Sequence, residues 1–371
     1  MSEPTSQAVI VHLIYRLDVG GLEKVMLDCI IGTQQDFRHI VICLKDASEF
    51  ARQLPTNVEV IELHKPEGNS FKIYLAFWRL LRSIKPDVLH SYNIATLEFQ
   101  PFAWLARVKG RIHAEHGRDI SDPQGKNTKY KLLRKLISPF VDKFVAVSDD
   151  LYQWLNQDVG LKKTKTQLIY NGVNVEKFVP RQLSAPSEKV VFGTVARLAP
   201  IKNHKFMLNA VHALLKNHPQ SAGTFELRII GDGPLRQNLL NQIDYLQLAQ
   251  HVFLLGEKHD IAEQLQQMNV FVLSSQAEGI PISVLEAQAT GLAIIATRVG
   301  GLPELIRSES QGLLVESENV QQLAAAMARM LASPEEIIRQ GAKNREFIKR
   351  SFSTPIMVNA YRTLYQKAAS L

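Results

Sequence analysis

The sequence predicts an α/β protein built as two Rossmann-like domains, each a doubly wound parallel sheet, facing each other across a cleft. Short β-branched runs alternate with longer helical patterns over nearly all of the 371 residues, as in parallel sheets whose strands are joined by crossover helices. That length exceeds one ordinary core, and a hydrophobic content of 46% with 21% charged residues supplies material for two. A polar stretch at 176–189, without clear periodicity and broken by Pro180 and Pro186, divides the alternation into halves.

In the first half the strand candidates are AVIVHLIY, RHIVICL, VEVIEL, DVLHSY, RIHAEH, KFVAVS and TQLIYNGV, with helical segments between most of them. The second half repeats the scheme with VVFGTVA, FELRIIG, HVFLL, VFVLSS, AIIATR and GLLVE. Three helical patterns close the chain, at about 320–331, 334–350 and 354–371. The expected division is a first domain at 1–176, a linker at 177–189 and a second domain at 190–353. Two such halves place a cleft at the C-terminal ends of their sheets, where α/β folds bind ligands. No period of a few tens of residues marks a solenoid.

The formal charge of +7 is shared between the halves rather than held in a basic tail, which argues against nucleic acid as a partner. The densest basic stretch combines Lys126, Lys129, Lys131, Arg134 and Lys135 with Leu132, Leu133, Leu136 and Ile137 at helical spacing. It reads either as a solvated helix face or as a contact for an anionic membrane or lipid phosphate. Cys29 and Cys43, each inside an apolar run, form neither a disulfide framework nor a metal-ligand spacing. Buried thiols in a reducing cytosol are expected. No apolar run is long enough to span a bilayer, so the expected location is cytoplasmic, with a peripheral position on the inner face of the membrane as the alternative.

Glycines and charges cluster at the ends of predicted strands. Gly20 and Gly21 lie between the first strand and a helix, where unhindered amides at a helix N-terminus suit a phosphate or a plain turn. The full GxGxxG fingerprint of dinucleotide sites is absent. Arg197 and Lys202 follow the first strand of the second half and offer a fork and a point charge to a diphosphate. Ile230-Gly231-Asp232-Gly233-Pro234 makes a tight turn after the next strand. After VFVLSS come Glu278-Gly279-Ile280-Pro281-Ile282 and, eight residues beyond Glu278, Glu286. The turn opens a helix with free amides, and two carboxylates flank it, suited to vicinal hydroxyls of a sugar and a ribose.

Taken together and in order, the Gly-Gly pair, Arg197 with Lys202, GDGP, E-x7-E and EAQATGLAIIATRVGGLPELI resemble glycosyltransferase family 4, a GT-B family, over essentially the whole chain. AEHGRD is similar to bacterial sugar transferases associated with exopolysaccharide export. The resemblance implies a retaining hexosyl transfer from a nucleotide-diphosphate sugar, UDP-sugar favoured and GDP-sugar possible in its place, to a glycan or lipid-linked acceptor. It implies that Arg197 and Lys202 bind the diphosphate and Glu286 the ribose. Glu278 and the amides of Gly279, Ile280, Pro281 and Ile282 would hold the sugar and its phosphate, with Gly231, Gly233 and Gly256 shaping the nucleotide site. Gly20 and Gly21 would close on the phosphates from the other domain. His116 is placed beside the donor sugar, Arg118 and Asp119 toward an acceptor, and His113, expected on the same face but deeper, is structural. The helix at 354–371, with Tyr361 and Tyr365, matches the family's last helix, which crosses back onto the first domain and packs there.

No cofactor and no metal ion are expected, because Asp-x-Asp occurs nowhere in the chain. Arg197, Lys202 and helix N-termini would supply that electrostatic stabilisation. A nucleotide-sugar epimerase or phosphorylase, a binding protein without turnover and a nicotinamide dehydrogenase are the competing readings, the last disfavoured by the missing fingerprint.

Overall fold

The computed structural model describes residues 7–68, 71–119, 121–180 and 189–370. It divides into two compact units, 1–172 with 354–371, and 173–353. Most of the linker expected at 177–189 therefore lies outside the described residues, Pro186 included.

The first unit runs β1 (Ala8–Ile14), α1 (Gly21–Thr33), β2 (Phe37–Cys43), β3 (Glu59–Glu62), α2 (Phe71–Ile84), β4 (Val88–Tyr92), α3 (Ile94–Leu97), α4 (Gln100–Leu105), β5 (Gly110–Glu115), α5 (Thr128–Ile137), β6 (Lys143–Ala146), α6 (Asp149–Gln157) and β7 (Thr166–Leu168). Its seven strands pair in parallel in the order β3-β2-β1-β4-β5-β6-β7. Both faces of the central strands are covered, so β4 is buried at every position, the continuous apolar signature of a two-sided parallel sheet. On one face Val11, Leu13, Ile40 and Leu89 pack against Ile73, Phe77 and Leu81 of α2, whose inward residues recur at helical spacing. TQLIYNGV yields only the three-residue β7, because at this edge the chain has one neighbour left to pair with.

The opposite face carries an unusual set of buried polar groups. His12 bonds the Tyr92 hydroxyl at 2.8 Å and His39 at 3.0 Å. His39 bonds the Thr33 hydroxyl at 3.0 Å, and His90 bonds the hydroxyls of Tyr365 at 2.8 Å and Tyr92 at 2.9 Å. Burial lowers the basicity of all three imidazoles, to about 4 for His39, so they are neutral at neutral pH. Tyr365 belongs to α14 (Thr354–Ala369), which covers this face with Tyr361 and Tyr365 1% and 0% exposed. Small residues admit the helix: a Cβ on Gly110 would lie 2.6 Å from that of Ala368, and one on Gly32 would lie 2.6 Å from Val358. Arg362 fixes it further, to Asp36 at 2.8 Å and the Gly32 carbonyl at 2.8 Å.

The second unit runs β8 (Val190–Val195), α7 (His204–Asn217), β9 (Phe225–Ile230), α8 (Arg236–Tyr245), β10 (Val252–Gly256), α9 (Ile261–Gln266), β11 (Val270–Leu273), α10 (Ile282–Ala289), β12 (Ala293–Thr297), α11 (Leu302–Leu305), β13 (Leu313–Val315), α12 (Val320–Ala332) and α13 (Pro334–Ser351). Its six-stranded parallel sheet has the order β10-β9-β8-β11-β12-β13. Phe192, Leu227, Ile229, Val272 and Ile295 meet Met207, Val211 and Leu214 of α7 and Met327 of α12 in one core. In each unit the strand order reverses beside the first strand, between β1 and β4 and between β8 and β11, which opens a crevice at the carboxyl ends of those strands.

The chain joins the second unit four residues before the expected end of the first domain at 176. The Val173 amide bonds the Phe352 carbonyl at 2.8 Å, and Arg345 donates to the carbonyls of Val175, Phe178 and Ala289. One guanidinium thus satisfies two carbonyls of a segment with no ladder of its own and ties it to the end of α10.

The basic stretch at 126–135 also departs from the sequence reading. The helix begins at Thr128, capped by Asn127, and Arg134 points inward rather than to solvent. Its guanidinium, 2% exposed, forks onto the carboxylate of Glu115, 0% exposed, at 2.6 and 3.0 Å and lies 4.8 Å from the Trp154 ring.

Candidate active site

In the second unit the residues singled out after β8 and β11 meet at the switch point. The β8 chain continues through Ala196, whose amide bonds the Ile230 carbonyl at 3.0 Å, and Leu198, whose amide bonds the Asp232 carbonyl at 2.9 Å. This seats the Arg197 loop on the GDGP turn. Gly231 makes the approach possible: it has φ +129, and a Cβ there would lie 2.1 Å from the Ala196 carbonyl oxygen. Arg197 is exposed, and Lys202 closes a short 3-10 turn before α7.

Lys202 Nζ lies 2.6 Å from Glu278 Oε1, and the Ser275 hydroxyl donates to the same oxygen at 2.6 Å. Ser274 donates to the Lys202 carbonyl at 2.9 Å, and the Gln276 amide bonds the Ile201 carbonyl at 2.8 Å. Two loops, joined through a pair of residues 76 apart in sequence, are thus tied by side-chain and backbone bonds into one platform. The ammonium side chain is 24% exposed and the carboxylate 10%; a charge-assisted pair so screened from water is held in one geometry. Behind Lys202, His204 is 1% exposed and is held at about 4 by burial and then by the ammonium, leaving it uncharged.

The Glu278 loop has a second support that the sequence reading did not identify. The Gly301 amide bonds the Gly279 carbonyl at 3.0 Å, and a Cβ on Gly300, at φ +52, would lie 1.9 Å from the Glu278 carbonyl oxygen. The Thr297 hydroxyl bonds the Ser275 carbonyl at 2.6 Å. Ser275 was legible as a hydroxyl three residues before Glu278, and Gly300 as one of a glycine pair after a strand; their partners were not. Ile280 and Ile282 are buried, Pro281 stands at the N-cap of α10, and no side chain caps that helix. Glu286 lies on α10, 6% exposed. Gly233 follows Asp232, whose carboxylate accepts the Gly233 amide at 2.6 Å, and Gly256 at φ +72 ends β10 with its carbonyl bonded to the Gly231 amide at 2.8 Å.

In the first unit Gly20, extended at φ −165, is the N-cap of α1, and Gly21 is its first residue; no side chain caps the helix. Glu23 sits in that first turn, and burial, with Asp18 adding to it against a backbone hydrogen bond, raises its carboxyl to about 7. His116 follows β5, its amide bonded to Asn93 Oδ1 at 2.8 Å and its ring 5.6 Å from that of Tyr92. Both ring nitrogens are shielded and without a hydrogen-bond partner. Burial, opposed by Glu115 and reinforced by His113, lowers the ring to about 4. His113 does not share this face. It bonds the Ser91 hydroxyl at 2.8 Å and lies 3.3 Å from Glu115, because three residues along a strand of period two reverse the side. Arg118 pairs with Asp150 at 2.8 Å over the Trp154 ring, and Asp119 closes a turn by accepting from the Ser121 amide at 2.8 Å. Both proposed acceptor residues thus make bonds within the unit. Among the described residues no group of three or more His, Cys, Asp or Glu is placed to hold a metal ion, and no helix is long and apolar enough to cross a membrane. Cys29 and Cys43 are buried free thiols.

Comparison with known proteins gives the family and the fold. Residues 19–177 match the family described as Glycosyltransferase Family 4, and residues 175–347 match Glycosyl transferases group 1. The chain is 28% identical to the UDP-Gal:alpha-D-GlcNAc-diphosphoundecaprenol alpha-1,3-galactosyltransferase of Escherichia coli, over 98% of each chain. It is 30% identical to a Bacillus subtilis protein named as glycosyltransferase EpsF, over 75% of this chain and 74% of that one. Its fold superposes with a TM-score of 0.81 on the Anabaena protein Alr3699/HepE, solved in complex with UDP-glucose, at 19% identity, covering 98% of this chain and 100% of that one. Matching family segments in both units, a relative at this identity and the two-sheet GT-B architecture lead to one conclusion: the chain belongs to the group 1 glycosyl transferases of glycosyltransferase family 4.

Proposed function

We propose that this glycosyltransferase moves a hexose-type sugar from a nucleotide-diphosphate sugar, UDP-sugar ahead of GDP-sugar, to a glycan or lipid-linked acceptor in bacterial polysaccharide or glycolipid synthesis, with retention and without a metal ion. The observation that carries it is the Lys202, Ser275 and Glu278 platform at the β8/β11 switch point. The names of its relatives support the donor and acceptor classes: one uses UDP-Gal and a diphosphoundecaprenol acceptor, and another was solved with UDP-glucose.

In this reading the donor diphosphate shares the ammonium of Lys202, whose three donors serve it and Glu278 together, and recruits exposed Arg197, and both cations offset charge developing on the leaving phosphate. With Oε1 of Glu278 held by Lys202 and Ser275, Oε2 is oriented to accept a hydroxyl of the transferred sugar. Gly279, Ile280, Pro281 and Ile282 line the sugar's phosphate, Glu286 accepts from the ribose, and Gly231, Gly233 and Gly256 shape the nucleotide seat. In the first unit His116 and the Gly20–Gly21 turn act on the donor side, and Arg118 with Asp119 are kept as acceptor-side residues only if their internal bonds open. Transfer proceeds on the front face: the bond from the anomeric carbon to the phosphate oxygen breaks, the acceptor oxygen bonds the same face, and its proton passes to the leaving phosphate. No carboxylate is required as a nucleophile.

The test is release of nucleotide diphosphate from a panel of sugar nucleotides in EDTA, with and without lipid extract, for wild type, Lys202→Ala and Glu286→Ala. Release from one donor that survives EDTA, rises with extract and falls at least about tenfold in both variants is expected. Tight donor binding without release moves the chain to the binding-protein reading, a changed sugar without an acceptor product moves it to an epimerase, and an inverted product by NMR sinks the front-face route.

A further inference from the structure

Two neighbouring elements of the first unit turn apolar side chains outward. In α5, Leu132 and Leu136 are 53% and 63% exposed, and in α4, Trp104 and Leu105 are 52% and 53% exposed. The 3-10 turn Ser138–Phe140 joins the two. The Phe140 ring lies 5.4 Å from that of Trp104, edge on, and the Arg111 guanidinium bonds the Phe140 carbonyl at 2.8 Å. The inward side of α5 is already filled by Arg134 and Ile137, so the outward leucines are not core residues in search of a partner.

The two segments that carry them bear charge of one sign. Residues 99–114 hold Arg107, Lys109 and Arg111 and no Asp or Glu; residues 123–141 hold Lys126, Lys129, Lys131, Arg134 and Lys135 and again no acid. Three of these are matched from elsewhere: Lys109 by Asp87 at 3.1 Å, Arg111 by Asp142 at 2.7 Å and Arg134 by Glu115 at 2.6 Å. Arg107, Lys126, Lys129 and Lys135 face solvent. A merely solvated helix does not present a pair of leucines one turn apart beside an exposed tryptophan, and the core of a protein interface is depleted in lysine. A tryptophan and leucines ringed by basic side chains match the headgroup layer of an anionic bilayer, apolar below and negative above.

We infer that the α4–α5 surface is a membrane-docking face, with Trp104, Leu105, Leu132 and Leu136 entering the headgroup region and Arg107, Lys129 and Lys135 meeting lipid phosphates. This goes beyond the transfer reaction and does not depend on which donor or acceptor the enzyme uses. Each leucine gains by leaving water and each lysine by approaching anionic lipid, so neither term alone suffices and the two together give reversible attachment.

The test is co-sedimentation with vesicles of phosphatidylcholine alone or mixed with phosphatidylglycerol, at low and high salt, with tryptophan emission read in parallel. Trp104 is the reporter among the three tryptophans, since Trp154 is 5% exposed and Trp78 half-buried. Binding is expected only with phosphatidylglycerol, weakened by salt, with emission shifted to the blue and quenched by brominated acyl chains. Trp104→Phe should keep sedimentation and lose the shift. Leu132→Glu with Leu136→Glu should weaken binding about a hundredfold while UDP affinity and the melting curve stay as in wild type. If that pair misfolds, Leu132→Ser with Leu136→Ser replaces it, with the same loss expected in direction. No sedimentation, sedimentation without quenching, or full binding by a folded double variant overturns the inference. So does a wild-type dimer, seen by sedimentation velocity, that the double variant abolishes, since the face would then be a protein interface.

Discussion

Replacing Arg134 by methionine removes the guanidinium that forks onto the fully buried carboxylate of Glu115. Burial by itself pushes the Glu115 carboxyl up, but the charge of Arg134, followed by the hydrogen bond and charge of His113, overcomes it and holds the group at about 2 against an ordinary 4.5. That fall corresponds to about 3 kcal/mol of folding stability. Breaking one side of a buried ion pair costs about 3–5 kcal/mol, so the two routes agree in size. For a unit of this length the Arg134→Met variant should lower the midpoint of the first unit's thermal transition by roughly 10 °C at neutral pH. The folded-state value is depressed, so the contribution is complete above about 4.5 and disappears as pH falls through about 2. The gap between wild type and variant should therefore narrow in acid. Adding Glu115→Gln should recover part of the loss, because the orphaned charge is gone. Calorimetry at neutral pH and at about pH 3 measures all of this; a variant that melts with wild type at neutral pH, or a gap independent of pH, refutes the reasoning.

Two further outcomes follow from single groups. Glu23 is raised to about 7, so its folded form favours the proton; that part of stability is complete below about 4.5 and is lost as pH rises to about 7, and Glu23→Gln should flatten the melting temperature across that window. Gly300→Ala forces a Cβ to within 1.9 Å of the Glu278 carbonyl oxygen and should reduce donor turnover by roughly a hundredfold through displacement of that loop. Gly223→Ala, also at positive φ but with nothing within 4 Å, should retain turnover, which separates the clash from backbone strain.

The alternation of strand and helix is written locally, so both sheets and most of their strands were legible, β1 among them. What failed depended on partners distant in sequence. Arg134 sits in a run of lysines that reads as one outward face, solvated or in contact with an anionic membrane, and Glu115 on β5 makes its inward turn favourable. His113, read as structural, was expected on the face of His116, yet their separation of three residues places them on opposite sides. In the second unit the order of the motifs located Arg197, Lys202 and Glu278, while their bonding through Ser275 and the backing by Gly300 depend on loops from β8, β11 and β12 meeting at one switch point. The histidine and tyrosine layer between the first sheet and α14 was equally invisible, since the bond from His90 to Tyr365 spans 275 residues of sequence.

That layer bears on how the protein is made. Synthesis runs from the N-terminus, and the ribosome delivers the whole of the second unit before α14 emerges. Until then His90 lacks Tyr365, and the face of the first sheet that α1 shares with α14 is only partly covered. The second unit, continuous in sequence, can close as soon as it is released from the exit tunnel, whereas the first must wait with part of its core uncovered. A holding chaperone that masks the face containing His12, His39 and His90 during this interval would act on the half of the protein that was translated first and finished last.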